Sequence, residues 1–131
     1  MARLTIRLDF DNGASLGPGK IGLLEGIERT GSIRNAAEQA GMSFRQAWLL
    51  LKAIEQMFEQ PVIAAQRGGS RGGGTVLTDF GRVVIASYRE VERAASHAAA
   101  KEVAVLEKRL TADIQTGGRR MIARKSGKTK G

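Results

Sequence analysis

The amino-acid sequence predicts a mainly α-helical fold with one small β-hairpin and a long helix toward the C-terminal end. Three observations support this fold class. Apolar residues recur at helical spacing in three segments between Gly19 and Gln60, and a further helical pattern runs from about Thr78 to Leu110. Between these patterns, two short strand-like segments flank a run of glycines. With 131 residues, the chain has the length of one domain with an appendage.

The N-terminal segment predicts a strand followed by a first helix. Its apolar residues alternate with polar ones, which is typical of a half-buried strand, and Asp11-Asn12-Gly13 ends the pattern. The alternating apolar residues are Leu4, Ile6, Leu8 and Phe10. After the break at Gly17-Pro18-Gly19, apolar residues at helical spacing predict a helix that ends at Thr30-Gly31.

Two further helices joined by a short turn form a helix-turn-helix pattern. Ser32 is placed to cap the first of them, which Gly41 ends, and Ser43 is placed to cap the second, which is predicted to reach Gln60. Their small residues allow a close, steep crossing of the two helices. The predicted apolar faces contain Ile33, Ala36, Ala37 and Ala40 on one helix, and Ala47, Leu50, Leu51, Ile54, Met57 and Phe58 on the other.

A β-hairpin is predicted directly after these helices. Val62–Arg67 and Thr75–Leu77 form its strands, and Gly68–Gly74 contains five glycines. A phosphate cradle of the Walker type needs a lysine that this run lacks. The position of the hairpin instead predicts a winged helix, whose glycine-rich tip brings backbone N–H groups close to a DNA duplex. A mobile loop that binds nothing is the alternative.

The last regular element is a long helix with an apolar stripe. At 1.5 Å per residue it would extend roughly 45 Å, which is more than a small domain covers. We therefore expect a homodimer formed along this stripe, and a helix folded back on its own domain is the alternative. The stripe contains Phe80, Val84, Tyr88, Val91, Ala95, Ala99, Val103, Leu106 and Leu110. The predicted domains are a winged helix-turn-helix over residues 1–77, a dimerisation helix over 78–110 and a basic, disordered tail over 111–131.

Composition and charge limit the classes of function. The chain contains no cysteine and a single histidine, His97, so we expect no metal site, and no paired carboxylates suggest an active site. We therefore predict that the protein is not an enzyme. No apolar run has the length of a signal peptide or membrane span, so we expect a cytoplasmic protein without membrane contact.

The net charge is +8, and residues 117–131 carry six basic and no acidic residues. Such a tail suits nonspecific attraction to nucleic acid or anionic lipid, and equally a solubilising disordered end.

Two motifs carry a resemblance to a known family. The segments TGSIRNAAEQAGMSFRQAW at residues 30–48 and RGGSRGGGTVLTDFG at residues 67–81 resemble the N-terminal DNA-binding domain of the ModE-type molybdate-responsive transcriptional regulators. The resemblance implies a LysR-like winged helix that binds double-stranded DNA as a dimer, and a repressor of genes for molybdenum uptake or metabolism. Members of the family also have C-terminal molybdate-binding domains, to which no part of this chain is similar. We therefore expect a DNA-binding domain on its own, without a cofactor.

The helix-turn-helix pattern and the resemblance together predict DNA-contacting residues. The early part of the second helix of such a motif enters the major groove. Arg45 suits guanine and Gln46 suits adenine, although Arg45 and Lys52 contacting only phosphates is an equal alternative. The predicted contacts are Ser32, Arg34, Asn35, Ser43, Phe44, Arg45, Gln46, Leu49, Lys52, Arg67, Arg71, Gly72 and Gly73. Trp48 faces the groove or packs between helices, and packing is the commoner role of a large aromatic residue. A protein-interaction module or a nonspecific DNA-binding module on the same scaffold is the alternative function.

Overall fold

The computed structural model describes residues 2–67 and 74–112. The tip of the predicted wing, with Arg71, Gly72 and Gly73, and the basic tail from residue 113 lie outside the described residues. Contacts divide the chain into two units, of which Arg3–Ala98 is the larger and contains both predicted motifs.

Within the described residues, four helices and two antiparallel hairpins form a mainly-α winged-helix fold, the class that the sequence predicts. The helices are α1 (Pro18–Thr30), α2 (Ile33–Gln39), α3 (Phe44–Met57) and α4 (Asp79–Glu107). The strands are β1 (Leu8–Asp9), β2 (Ser15–Leu16), β3 (Ile63–Gln66) and β4 (Gly74–Leu77), with β1 paired to β2 and β3 paired to β4. In the β3–β4 hairpin, Ile63 lies opposite Leu77 and Gln66 lies opposite Gly74.

Caps and turns set the bounds of the first three helices. Pro18 opens α1, and Gly31 ends it with a φ of 71° that a side chain would strain. The Ser32 hydroxyl accepts the Asn35 N–H at 3.0 Å and caps α2. Gly41, with a φ of 72°, then turns the chain toward α3. These local signals produce the helix-turn-helix.

Aliphatic side chains from every helix form the core of the Arg3–Ala98 unit. Small residues allow α1 and α2 to pack closely. A Cβ added to Gly26 of α1 would be only 3.0 Å from the Cβ of Ala36 in α2. Arg89 of α4 donates two hydrogen bonds to the Glu25 carboxylate of α1, at 2.9 and 2.7 Å. The buried hydrophobic residues are Leu16, Ile21, Leu23, Leu24, Ile27, Ala36, Ala37, Ala47, Leu51, Ile54, Val62, Leu77, Val84 and Tyr88.

The N-terminal strand is shorter than its alternation predicts. Regular pairing covers only Leu8–Asp9. The sequence pattern does not predict its partner strand, Ser15–Leu16. Upstream of it, the Ile6 carbonyl accepts a hydrogen bond from the Tyr88 hydroxyl of α4 and has no strand beside it. The helix α3 also ends earlier than predicted, because Phe58 adopts an extended conformation and packs edge-to-face on Phe80 at 5.3 Å.

The predicted dimer stripe divides into buried and exposed parts. Val84 and Tyr88 are buried in the core of their own chain, so their side chains are not available to a partner in this conformation. Phe80 is half-buried against Phe58. Val91 is exposed and Ala95 is half-buried, while in the second unit Val103 is half-buried and Leu106 is exposed. The placement of Val84 and Tyr88 agrees with the alternative in which the start of α4 packs on its own domain.

None of the described helices combines the length and the hydropathy that a membrane span needs. Within residues 2–67 and 74–112, no group of three or more His, Asp or Glu side chains is placed to hold a metal ion.

Tyr88 is the only tyrosine of the chain, so its ionisation can be measured directly. Burial raises the pKa of its phenol above 10.0, and the neighbouring Glu92 carboxylate adds to the effect. We expect the phenolate absorbance of the folded protein to titrate at a higher pH than that of the denatured chain, whose midpoint should be about 10. Because the folded state holds the proton more tightly, stability from Tyr88 is present below pH 10.0 and is lost as pH rises through the folded pKa. Equal midpoints in both states would contradict the burial of this side chain.

Candidate nucleic-acid interface

The start of α3 is fixed by a reciprocal cap. The Ser43 hydroxyl accepts the Gln46 backbone N–H, and the Gln46 side-chain Oε1 accepts the Ser43 backbone N–H, each at 3.0 Å. This capping box satisfies two backbone N–H groups that the first turn of a helix leaves without partners. It also fixes the direction in which the first turn of α3 presents its side chains.

One side of α3 is exposed and combines apolar with cationic residues. Between Phe44 and Lys52, at 100° per residue, five side chains fall within less than half of the helix circumference, opposite the buried Ala47 and Ile54. These five, the α3 face, are Phe44, Arg45, Trp48, Leu49 and Lys52. The three apolar members keep 42%, 45% and 49% of their surface exposed, in that order along the chain. So much exposed apolar surface on one helix is typical of a binding site.

Aromatic rings hold two of the cations at this surface. The Arg34 guanidinium of α2 lies over the Phe44 ring, 4.9 Å from its centre, and the Lys52 ammonium lies 5.0 Å from the centre of the Trp48 ring. Such cation–π contacts restrict the long side chains without neutralising them. From Gln39 to Ile54 the sequence contains no acidic residue, so the α3 face is positively charged.

The structure changes the interpretation of several predicted residues. Gln46 is exposed, but its Oε1 is engaged in the capping box, so it is not free to pair with adenine through both side-chain polar atoms. Ser32 acts as the α2 cap, whereas Arg34 and Asn35 are exposed in the first turn of that helix. The sequence allows Trp48 either to face the groove or to pack between helices. Its side chain lies on the exposed face of α3 and not between the helices.

The β3–β4 hairpin, which we call the wing, is anchored to the helices at its base. The Thr75 N–H donates to the Gly31 carbonyl at 2.9 Å, at the turn that precedes α2. Gly74 lies so close to this turn that a Cβ would be 2.7 Å from the Gly31 oxygen. On the other strand, Glu55 of α3 accepts hydrogen bonds from the backbone just before and at the start of β3. The exposed Arg67 continues from β3 toward the tip.

The predicted interface therefore comes together from two separate parts of the sequence. Arg34, Asn35, Phe44, Arg45 and Lys52 lie on the exposed surfaces of adjacent helices, and Arg67 follows a strand that is tied to α3. Sequence reasoning missed the role of Glu55. The available signal was an acidic residue near a helix end, followed within a few residues by backbone N–H groups that need acceptors.

Comparisons with known proteins agree with the motifs. No protein-family model matches the chain. Over 92 residues, 70% of its length, it is 41% identical to the molybdenum transport protein ModE of Azotobacter vinelandii. Over 101 residues, 77% of its length, it is 40% identical to the molybdenum-pterin-binding protein MopB of Rhodobacter capsulatus. Over 87 residues, 66% of its length, it is 33% identical to the DNA-binding transcriptional dual regulator ModE of Escherichia coli K12.

The matched segments are a small part of these relatives, at 33%, 36% and 33% of their respective lengths. The chain thus spans about a third of the length of the curated relatives it matches. Over the N-terminal part that they share, about 70% of the chain, it is homologous to the ModE-type proteins, which confirms the family resemblance that its sequence motifs indicate.

Proposed function

We propose that this chain is the DNA-binding part of a ModE-type transcriptional regulator and that it binds duplex DNA through the α3 face and the wing. The observation that carries the proposal is the α3 face itself, because its five side chains are exposed and include two cations and no carboxylate, on the helix that a winged helix inserts into the major groove. The printed name of the Escherichia coli relative, a DNA-binding transcriptional regulator, supports it.

The side chains of this surface differ in chemistry, so each suits a different part of the DNA. Arg45 is exposed in the first turn of α3 and suits a bidentate contact with guanine. Phe44 and Leu49 offer apolar contacts to thymine methyl groups. Arg34 and Lys52, held by aromatic rings, suit phosphates, as do the wing arginines Arg67 and Arg71 together with the backbone of Gly72 and Gly73. For Gln46, we propose a single donated hydrogen bond in place of a bidentate pair.

We further propose that the regulator acts as a homodimer through the exposed part of α4. Val83 and Val91 of α4 are exposed beside Phe10, and the three border an apolar groove of about 240 Å³ that also reaches Leu8 and Phe58. Two of the relatives named above have molybdenum in their names, which supports the proposal that this regulator controls genes for molybdenum uptake or metabolism. Repression is the mode of control that we propose. The proposal assigns no cofactor to the DNA-binding step.

Selection from a library of random-sequence duplexes tests this function. The whole chain is mixed with duplexes about four helical turns long, and the retained DNA is sequenced. A dimer should enrich an inverted repeat whose half-sites lie about one or two helical turns apart. Recovery of all sequences with equal frequency would contradict a sequence-specific regulator.

The exposed aromatic residues of α3 also suit a protein partner, so the second candidate function is a protein-interaction module. The same selection distinguishes the two. A protein-interaction module would retain no duplex even at low salt, where a chain with a net charge of +8 binds DNA most strongly.

A further inference from the structure

Glu55 connects α3 to the wing through both oxygens of its carboxylate. It lies near the C-terminal end of α3, three residues after Lys52 of the α3 face. Its Oε1 accepts the Val62 N–H and its Oε2 accepts the Ile63 N–H, each at 3.1 Å. Val62 is fully buried, so its N–H has no access to water and depends on a protein acceptor.

The remaining attachments of the wing involve other elements. The strand β4 packs on α1, and Thr75 donates to the Gly31 carbonyl between α1 and α2. Thr78 donates from its hydroxyl to the Pro61 carbonyl at 2.7 Å and so joins the two ends of the hairpin to each other. Glu55 is thus the side chain of α3 whose hydrogen bonds reach the start of β3.

A small surface pocket lies beside the carboxylate, so α3 and the wing are not in close contact along their whole length. Trp48, Lys52, Glu55 and Ile63 line a space of about 110 Å³ between α3 and the wing. Without the two hydrogen bonds, this space leaves room for Ile63 to shift relative to α3, while the Val62 carbonyl still accepts the Thr78 N–H. Charge-assisted hydrogen bonds to backbone N–H groups are directional, which makes them suited to fixing the position of a strand.

We propose that Glu55 is a positioning residue that fixes the wing relative to the α3 face, so that both contact the same DNA duplex at a fixed separation. The proposal rests on the proposed DNA-binding function. It concerns how the wing contributes to affinity: Glu55 contacts no DNA, and its removal releases the wing while the α3 face keeps its own contacts. The effects of Glu55 and of the wing cations on binding are then coupled, whereas those of Glu55 and Arg45 are independent.

A double-mutant cycle on the best duplex from the random-sequence selection tests this coupling. We expect Glu55→Ala to weaken binding by about three- to tenfold and to reduce its dependence on salt concentration. The wing variant Arg67→Ala should weaken binding in the unsubstituted chain and have little further effect in the Glu55→Ala chain. Arg45→Ala should have the same effect in both. Glu59→Ala, which removes an exposed carboxylate just after α3, is the charge-matched control and should bind no more weakly than the unsubstituted chain does.

Each other outcome has a definite meaning. Additive effects of Glu55→Ala and the wing variant would overturn the positioning role, and so would a wing variant that binds normally. Absence of duplex binding by the unsubstituted chain would instead overturn the proposed function, and the role of Glu55 with it. Should Glu55→Ala unfold, Glu55→Gln replaces it in the cycle, because one of the two acceptor oxygens then becomes an NH2 group, which cannot accept from a backbone N–H. Glu55→Gln should then give an intermediate loss of affinity, and normal affinity with full wing dependence would contradict the proposal.

Discussion

Arg45→Ala is expected to weaken binding to the preferred duplex by about 1–3 kcal/mol and to relax sequence preference at one base position. The side chain is exposed in the first turn of α3, where Ser43 and Gln46 fix the helix start. A guanidinium at this place has the donor geometry that guanine accepts through two atoms. The measurement is a titration of the preferred duplex and of duplexes with single base changes, followed by fluorescence anisotropy.

Arg7→Ala is a suitable charge-matched control. Arg7 is an exposed arginine of the same unit, paired with Asp9 at 3.0 Å and outside the helix-turn-helix. Its removal should change affinity by much less than the removal of Arg45. If Arg45→Ala weakened binding to every duplex equally, Arg45 would contact phosphate and the guanine assignment would be wrong. If both substitutions had the same small effect, the α3 face would not be the site of base contact.

Gly81→Ala is expected to lower the free energy of unfolding by about 1–3 kcal/mol. Gly81 lies in the first turn of α4, and a Cβ at this position would collide with the Val62 carbonyl oxygen, a backbone atom that cannot rotate away. The Val62 oxygen also accepts the Thr78 N–H at 3.0 Å, so the collision would disturb the base of the wing. Chemical denaturation measured by circular dichroism gives the change in free energy.

Gly22→Ala provides the opposite expectation from the same chemical change. Gly22 lies within α1, and a Cβ there would meet no atom within 4 Å. Alanine is a better helix former than glycine, so this substitution should stabilise the protein by about 0.5–1 kcal/mol. Stabilisation by Gly81→Ala of the same size as by Gly22→Ala would contradict the close contact between α4 and the start of β3.

Local signals in the sequence were sufficient for most of the helices. Ser32, Gly41 and Ser43 act on backbone groups within four residues of themselves, so their roles follow from spacing alone. The predicted length of the N-terminal strand is wrong, because alternation predicts which side chains face inward and does not predict a strand partner. The Ile6 carbonyl instead accepts a hydrogen bond from a tyrosine hydroxyl 82 residues away, which no local pattern indicates.

The candidate site shows the same division between local and distant information. The exposed face of α3 follows from helical spacing, which correctly separated Arg45, Leu49 and Lys52 from the buried Ala47 and Ile54. Two polar side chains have partners that residue type does not predict. The Gln46 oxygen serves the capping box, so a base contact of Gln46 stays a prediction that uses its donor alone, and the Glu55 carboxylate accepts from backbone N–H groups of the next element.

Trp48 is the only tryptophan of the chain, so its fluorescence during DNA titration tests directly whether the α3 face meets the duplex. Its side chain is 45% exposed in the free protein and lies beside Arg45, Leu49 and Lys52. Binding through this face should change its emission and protect it from quenching by acrylamide, with the same midpoint as the anisotropy titration. Binding that leaves both the emission and the quenching of Trp48 unchanged would show that the DNA contacts another surface.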